Sequence, residues 1–134
     1  MITLYVFCGA PGSGKSTLSK QLAEEHDAER ISFDERHYAR HKEMIPPIVE
    51  ALANGKSVVA DSLFVYAKER KLILDAVKGI PCRKVLVRMS TPLEECLRRN
   101  ANRQNRLPDF VVETFYESLE QPTPDEGWDE IIII

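Results

Sequence analysis

Residues 9–16 read GAPGSGKS and follow directly on the apolar run ITLYVFC at residues 2–8. Glycines at positions 9, 12 and 14 free the backbone to curl, so that successive N–H groups turn inward and form an anion-binding nest with the N-terminus of the helix expected to follow. The spacing is that of a Walker A element, G-x-x-x-x-G-K-[ST], and it stands between a strand and a helix as that element requires. Few chains can accommodate it outside an α/β fold. Gly9, Gly12, Ser13 and Gly14 are expected to shape a phosphate cradle in which Lys15 bridges the β- and γ-phosphates of a nucleotide. Ser16 is expected to ligate Mg²⁺, and Thr17 to hydrogen-bond the α-phosphate.

The rest of the chain alternates in the same way. A helix is expected from Ser16 to about Glu25, and ERISF forms a second strand that ends at Asp34. A helical stretch then begins at ERHYAR, with Asp34 as a possible N-cap, and restarts at PPIVEALANG, where proline opens the helix and Gly55 closes it. KSVVAD is a third strand, YAKERKLILDAVKG a helix and CRKVLVRMS a fourth strand. TPLEECLRRNANRQN is expected to be one helix capped by Thr91, followed by a short helix with Asp109 as a possible cap, and WDEIIII closes as a fifth strand. The fold class expected is α/β, three layers with a five-stranded parallel sheet and a short helical lid at about residues 98–108.

With 134 residues and a mass of 15.3 kDa, the chain has room for one domain, 1–134, with one core. Met1 is followed at once by strand-like residues with no basic lead-in, and no apolar run reaches membrane-spanning length, so the expected location is cytoplasmic, with no membrane contact. Cys8, Cys82 and Cys96 lack the spacing of a disulfide framework or a zinc site and are read as buried thiols. The net charge of −3 conceals an asymmetry, because residues 107–134 hold eight acidic side chains and no lysine or arginine. The basic residues crowd just before them, in RRNANRQNRLP.

Three features beyond the cradle carry chemistry. Asp34 ends the second strand and should open onto the crevice that holds the phosphates, where a carboxylate can orient or deprotonate an attacking hydroxyl. Asp61 ends the third strand in the manner of a Walker B aspartate; it could hold magnesium-bound water, bind substrate or cap the next helix. On a continuous helix Arg99, Arg103 and Arg106 share one face, while Arg98 heads a neighbouring one. Such a stripe can neutralise charge on a transferred phosphoryl group, or it can be a solvated face answering the acidic C-terminal segment.

Together GAPGSGKST, ISFDE, VVADS and RRNANR…LP resemble the P-loop kinase superfamily, and within it the kinase domain of phage-type 5′-polynucleotide kinases. The resemblance implies that Asp34 activates the acceptor hydroxyl, that Asp61 contributes to acceptor binding, and that Arg99 and Arg103 sit in a lid. His37 stands where that pattern has an acceptor-phosphate arginine, and Ser62-Leu63-Phe64 replaces a threonine and an asparagine after Asp61. The function expected is ATP- and Mg²⁺-dependent phosphoryl transfer to a hydroxyl, most plausibly the 5′-OH of a polynucleotide or nucleotide. Lys15, Asp34, Arg99 and Arg103 would be catalytic, Asp34, His37 and Asp61 would meet the acceptor, and Ser16 and Asp61 the metal. ATP and a hydroxyl-bearing acceptor, such as a nucleic acid 5′ end, are the expected partners, and no obligate protein partner is evident. A small-molecule kinase of the gluconate, shikimate or zeta-toxin kind shares these features, and a non-catalytic ATP-binding switch shares the cradle.

Overall fold

The computed structural model describes all residues, 1–134. In chain order the elements are β1 (Thr3–Cys8), α1 (Lys15–Glu25), β2 (Glu29–Ser32), α2 (Ile45–Ala53), β3 (Val58–Asp61), α3 (Ala67–Ala76), β4 (Arg83–Arg88), α4 (Leu93–Ala101), α5 (Asp109–Ser118) and β5 (Glu130–Ile133). Single 3₁₀ turns occupy His41–Met44 and Pro124–Glu126. All strands are parallel, in the order β2-β3-β1-β4-β5. From β1 the chain crosses to the edge strand β2, returns to β3 beside β1, then passes to β4 on the other side of β1 and outward to β5. The reversal leaves a crevice at the C-terminal end of β1, where the glycine-rich loop begins.

Alternation along the strands divides the core into layers. Leu4, Val6 and Cys8 of β1 join Ile48 and Leu52 of α2 and Ile73 and Leu74 of α3, whereas Phe7 joins Val59, Val85 and Val87 against Leu18 and Leu22 of α1. Both faces of the sheet are therefore covered, which is why β1 and β3 read as unbroken apolar runs. All three cysteines are buried and free. No helix is long and apolar enough to cross a membrane. Strand β5 lies at the sheet edge, with Ile131 and Ile132 half-buried and Ile133 and Ile134 exposed.

Three local expectations are corrected. The residues after Asp34 form turns, with Arg36, His37 and Tyr38 N–H donating to Ser32, Asp34 and Phe33 carbonyls, so Asp34 caps no helix. Phe33 and Tyr38 both pack on the core, five residues apart, a spacing that does not suit a helix face. Helix α4 stops at Ala101, which leaves Arg103 and Arg106 off it. Buried Asn100 causes the break: its amide donates to the Leu107 carbonyl at 2.7 Å and accepts from the Leu107 N–H at 3.1 Å, folding the chain back. Finally, Thr91 is not the cap of α4 and Asp109 is not the cap of α5. Pro92 and Pro108 hold those positions, and the Thr91 hydroxyl donates instead to the Ser13 carbonyl at 2.8 Å.

Helix α4 packs directly on the glycine-rich loop. Gly12 has φ +81°, and a Cβ there would lie 2.5 Å from the Cys96 carbonyl oxygen. On the other side of the fold, Arg70 of α3 is fully buried and meets Glu126 through two parallel hydrogen bonds of 2.9 Å. It also donates to the carbonyls of Phe64 at 2.8 Å and Glu120 at 2.9 Å, while Trp128 Nε1 donates to Glu126 at 2.9 Å. Burial alone would raise the Glu126 pKa, but the hydrogen bonds from Arg70 and Trp128 and the Arg70 charge hold it below the usual carboxylate range.

Glu126→Ala should destabilise the protein by about 3 kcal/mol in denaturant unfolding, because it leaves a buried guanidinium unpaired. With a lowered folded-state pKa, Glu126 contributes fully at neutral pH and loses its contribution as acid carries the carboxyl through that value, below roughly pH 4.3. The stability gap between wild type and Glu126→Gln should accordingly be present at pH 7 and shrink below that range. Gly12→Ala should cost at least about 1–2 kcal/mol from its backbone conformation alone, with a further loss from the Cys96 clash, read as a lower thermal midpoint.

Candidate active site

The crevice opens as a cleft of about 1570 Å³ bounded by the glycine-rich loop, the ends of β2 and β3, one face of α3 and residues 99–107. Gly12, Gly14, Lys15, Ser16 and Thr17 line it on the cradle side. Gly9 and Ser13 do not reach it. Gly9 N–H donates to the Leu63 carbonyl at 2.9 Å, anchoring the loop to the turn after β3, and Ser13 is buried beneath the loop with its Oγ unpartnered.

Lys15 Nζ donates to the Ala10 carbonyl at 3.1 Å, spanning the loop. Burial lowers its pKa; the nearby charges of Asp61 and Asp34 act against that shift, and Arg103 adds to it. Four of the expected site residues thus meet in one electrostatic neighbourhood. Arg99 reaches the same place, since its Nη1 lies 2.9 Å from the position a Gly14 Cβ would take. The tertiary structure therefore brings Arg99 and Arg103 to the cradle although no common helix face carries them. Arg106 instead pairs with Asp109 at 3.3 Å, and Arg98 pairs with Glu95 on the outside.

Asp61 is buried and occupied. Its Oδ2 accepts from Ser19 Oγ and from Arg30 Nη2, both at 2.7 Å. Arg30 extends further, pairing with Glu35 and lying 3.4 Å from Ser16 Oγ, so one guanidinium links the end of β3, the start of α1 and the turn that carries Asp34. Arg30 escaped the sequence reading, yet a charged residue inside the short strand ERIS was a usable signal, because an arginine half-buried in a sheet requires a partner.

The far wall holds a second unforeseen group. His41 lies between Phe64, stacked at a centroid distance of 4.4 Å, and Phe33 at 4.9 Å. Its Nδ1 is 2.6 Å from Glu69 Oε2 and its Nε2 is 2.7 Å from Ser62 Oγ. Burial would raise the Glu69 pKa, but the hydrogen bond and charge of His41 outweigh it and keep the group a carboxylate. Phe64 is fully buried with φ +41°, whereas Leu63 faces the cleft. His37 also lines the cleft, at φ +56°, and shares no helix face with His41. The rim carries the cations Lys20, Arg40, Lys42 and Lys68.

Comparison with known proteins agrees with this architecture. The L-seryl-tRNA(Sec) kinase of Methanococcus maripaludis is 29% identical over 143 residues, an alignment covering 94% of this chain and 56% of that protein. The chain thus spans about half the length of that relative. A sugar kinase from Janibacter sp. HTCC2649 superposes with a TM-score of 0.78 at 18% identity, covering 100% of this chain and 85% of the other. A fungal RNA kinase superposes with a TM-score of 0.76 at 18% identity, over 99% of this chain and 38% of that one. At those identities the superpositions speak for a shared fold, that of P-loop kinases, as the sequence led one to expect. The sequence profile of one family, described as an AAA domain, matches residues 4–122. With its phosphate loop, its parallel sheet and a profile match over most of its length, the chain belongs to the AAA domain family AAA_33.

Proposed function

We propose that the protein transfers the γ-phosphate of ATP to a hydroxyl borne by a nucleic acid. The observation that carries the reading is that Lys15, Asp34, Asp61 and Arg103 all line the one cleft that holds the glycine-rich loop. A base for the acceptor, a clamp for the transferred group and a cation for the developing charge are the parts phosphoryl transfer needs. The loop amides and Lys15 hold the donor, Asp34 orients the acceptor hydroxyl and takes its proton, and Arg99 with Arg103 balances charge on the moving phosphoryl group. The wide cleft and the cationic rim of Lys20, Arg40, Lys42 and Lys68 favour a polyanionic acceptor over a small neutral one. The kinase relative named for a seryl-tRNA substrate is consistent with that preference.

The donor set suits Mg²⁺ rather than a softer ion: the Ser16 hydroxyl, exposed at the start of α1, and the Asp61 carboxylate are both oxygen ligands, and Arg30, which takes Asp61 Oδ2 and lies 3.4 Å from Ser16 Oγ, leaves Asp61 Oδ1 as the oxygen for the ion. No three His, Cys, Asp or Glu side chains gather around a possible ion, so Ser16 and Asp61 would hold it together with phosphate oxygens and water. When bound, Mg²⁺ neutralises the phosphate oxygens and aligns them.

Asp34→Asn should abolish transfer from labelled ATP while leaving nucleotide affinity, measured by calorimetry, within about twofold. Arg103→Ala should lower kcat by at least about a hundredfold, with a much smaller change in acceptor KM. A panel of 5′-OH oligonucleotides, seryl-tRNA, nucleosides and sugars tests the acceptor class. Label should enter the nucleic-acid-borne hydroxyls, and transfer confined to free sugars would overturn this reading.

A further inference from the structure

Strand register sends Arg30 of β2 to the same face of the sheet as Val59 of β3, the face that α1 covers. Asp61 stands two residues beyond Val59 and shares that face. The Arg30 side chain is only 14% exposed. Its Nε donates to Ser19 Oγ at 2.8 Å, its Nη1 pairs with Glu35, and its Nη2 donates to Asp61 Oδ2 at 2.7 Å. The same Nη2 lies 3.4 Å from Ser16 Oγ. One nitrogen thus spans the two side chains whose oxygens would hold Mg²⁺.

Two cations that draw on one carboxylate oppose each other. Asp61 carries a single negative charge, and Arg30 takes one of its oxygens while an ion would take the other. In a partly desolvated site the repulsion between a guanidinium and a divalent ion a few ångströms away is several times stronger than in water. Phosphates meet the same guanidinium with the opposite sign. Ser16 stands in the first turn of α1, where the loop amides and the helix N-terminus gather the donor. A nucleotide that arrives without metal therefore still finds a fixed positive charge beside that turn.

We infer that Arg30 is a resident cation of the donor site, a positioning residue that stands in part for Mg²⁺ and so limits how strongly nucleotide binding depends on the metal. It holds Asp61 in place before the donor arrives, supports binding of metal-free nucleotide, and weakens the hold of the site on the ion when both are present. The inference rests on the reading of Ser16 and Asp61 as the metal's oxygens and is independent of the acceptor.

Calorimetry reads the effect as a ratio. The β,γ-imido analogue of ATP is titrated into the protein in EDTA and in saturating Mg²⁺, and the two Kd values give the metal dependence of binding. Arg30→Gln removes the charge while keeping a polar side chain. It should weaken binding in EDTA without weakening it in Mg²⁺, and so enlarge the ratio about tenfold or more. Arg30→Lys keeps the charge and should stay within about threefold of the wild-type ratio. A merely structural role would lower both affinities together and leave the ratio where it was. Wild type alone also tests the inference, since its binding in EDTA should remain measurable. A ratio unchanged by Arg30→Gln, an equal rise with Arg30→Lys, or wild-type binding confined to Mg²⁺ overturns the inference. Asp61→Asn should shrink the wild-type ratio. If it does not, the metal reading and the inference fall together, whereas a shrunken ratio beside an inert Arg30→Gln defeats the inference alone. The expected ratios in a protein that transfers phosphate to no acceptor would defeat the kinase reading and leave the role of Arg30 standing.

Discussion

The buried pair between Arg70 and Glu126 holds the C-terminal segment to the rest of the fold. Arg70 lies beside Cys8 at the end of β1, takes the Phe64 carbonyl in the turn after β3, and reaches the Glu120 carbonyl and the Glu126 carboxylate beyond α5. Two further bonds fasten the same regions, from Glu120 N–H to Val65 O and from Ala67 N–H to the Glu120 carboxylate, each at 2.8 Å. A guanidinium with every arm engaged can tolerate full burial, whereas one with a missing partner cannot. The turn after β3, which presents Ser62 and Leu63 to the cleft, is thus held from behind by a charge pair that never meets a ligand.

At the crevice positive charge prevails but is partly offset. Lys15, Arg30, Arg99 and Arg103 are set against Asp34, Asp61 and Glu35, and the rim adds further cations. Arg30 is the cross-link: it neutralises Asp61 and ties the turn bearing Asp34, through Glu35, to the start of α1. The aspartate that would act on the acceptor therefore moves with the donor site. Positioning of this kind, to within a fraction of an ångström, supplies much of the rate in reactions where bonds are exchanged in line.

Legibility in the sequence tracked the range of the physics involved. GAPGSGKS, the apolar runs and the strand-ending aspartates are local signals, and the glycine-rich loop between β1 and α1, the strands and the places of Asp34 and Asp61 at the cleft followed from them. The arginine segment shows the limit. A helical repeat put Arg99, Arg103 and Arg106 on one face, but Asn100 folds back on Leu107 and ends the helix at Ala101. Arg99 and Arg103 still reach the cradle, by a route that periodicity cannot describe. The turn after Asp34 failed for a similar reason, since Phe33 and Tyr38 gain more by entering the core than ERHYAR gains by becoming a helix.

Alone, the sequence determined the class of fold and the kind of ligand, because glycine spacing, apolar alternation and a Lys-Ser pair act over a few residues. Tertiary structure decided which polar groups face one another. His41, Ser62 and Glu69 lie 21 and 28 residues from their partners, and Arg30 lies 31 residues from Asp61. Nothing local marks such pairs, since a hydrogen bond depends on distance and direction in space. Those bonds exist only once the parallel sheet has brought the ends of β2 and β3 side by side, and they are what shapes the wall of the cleft opposite the glycine-rich loop.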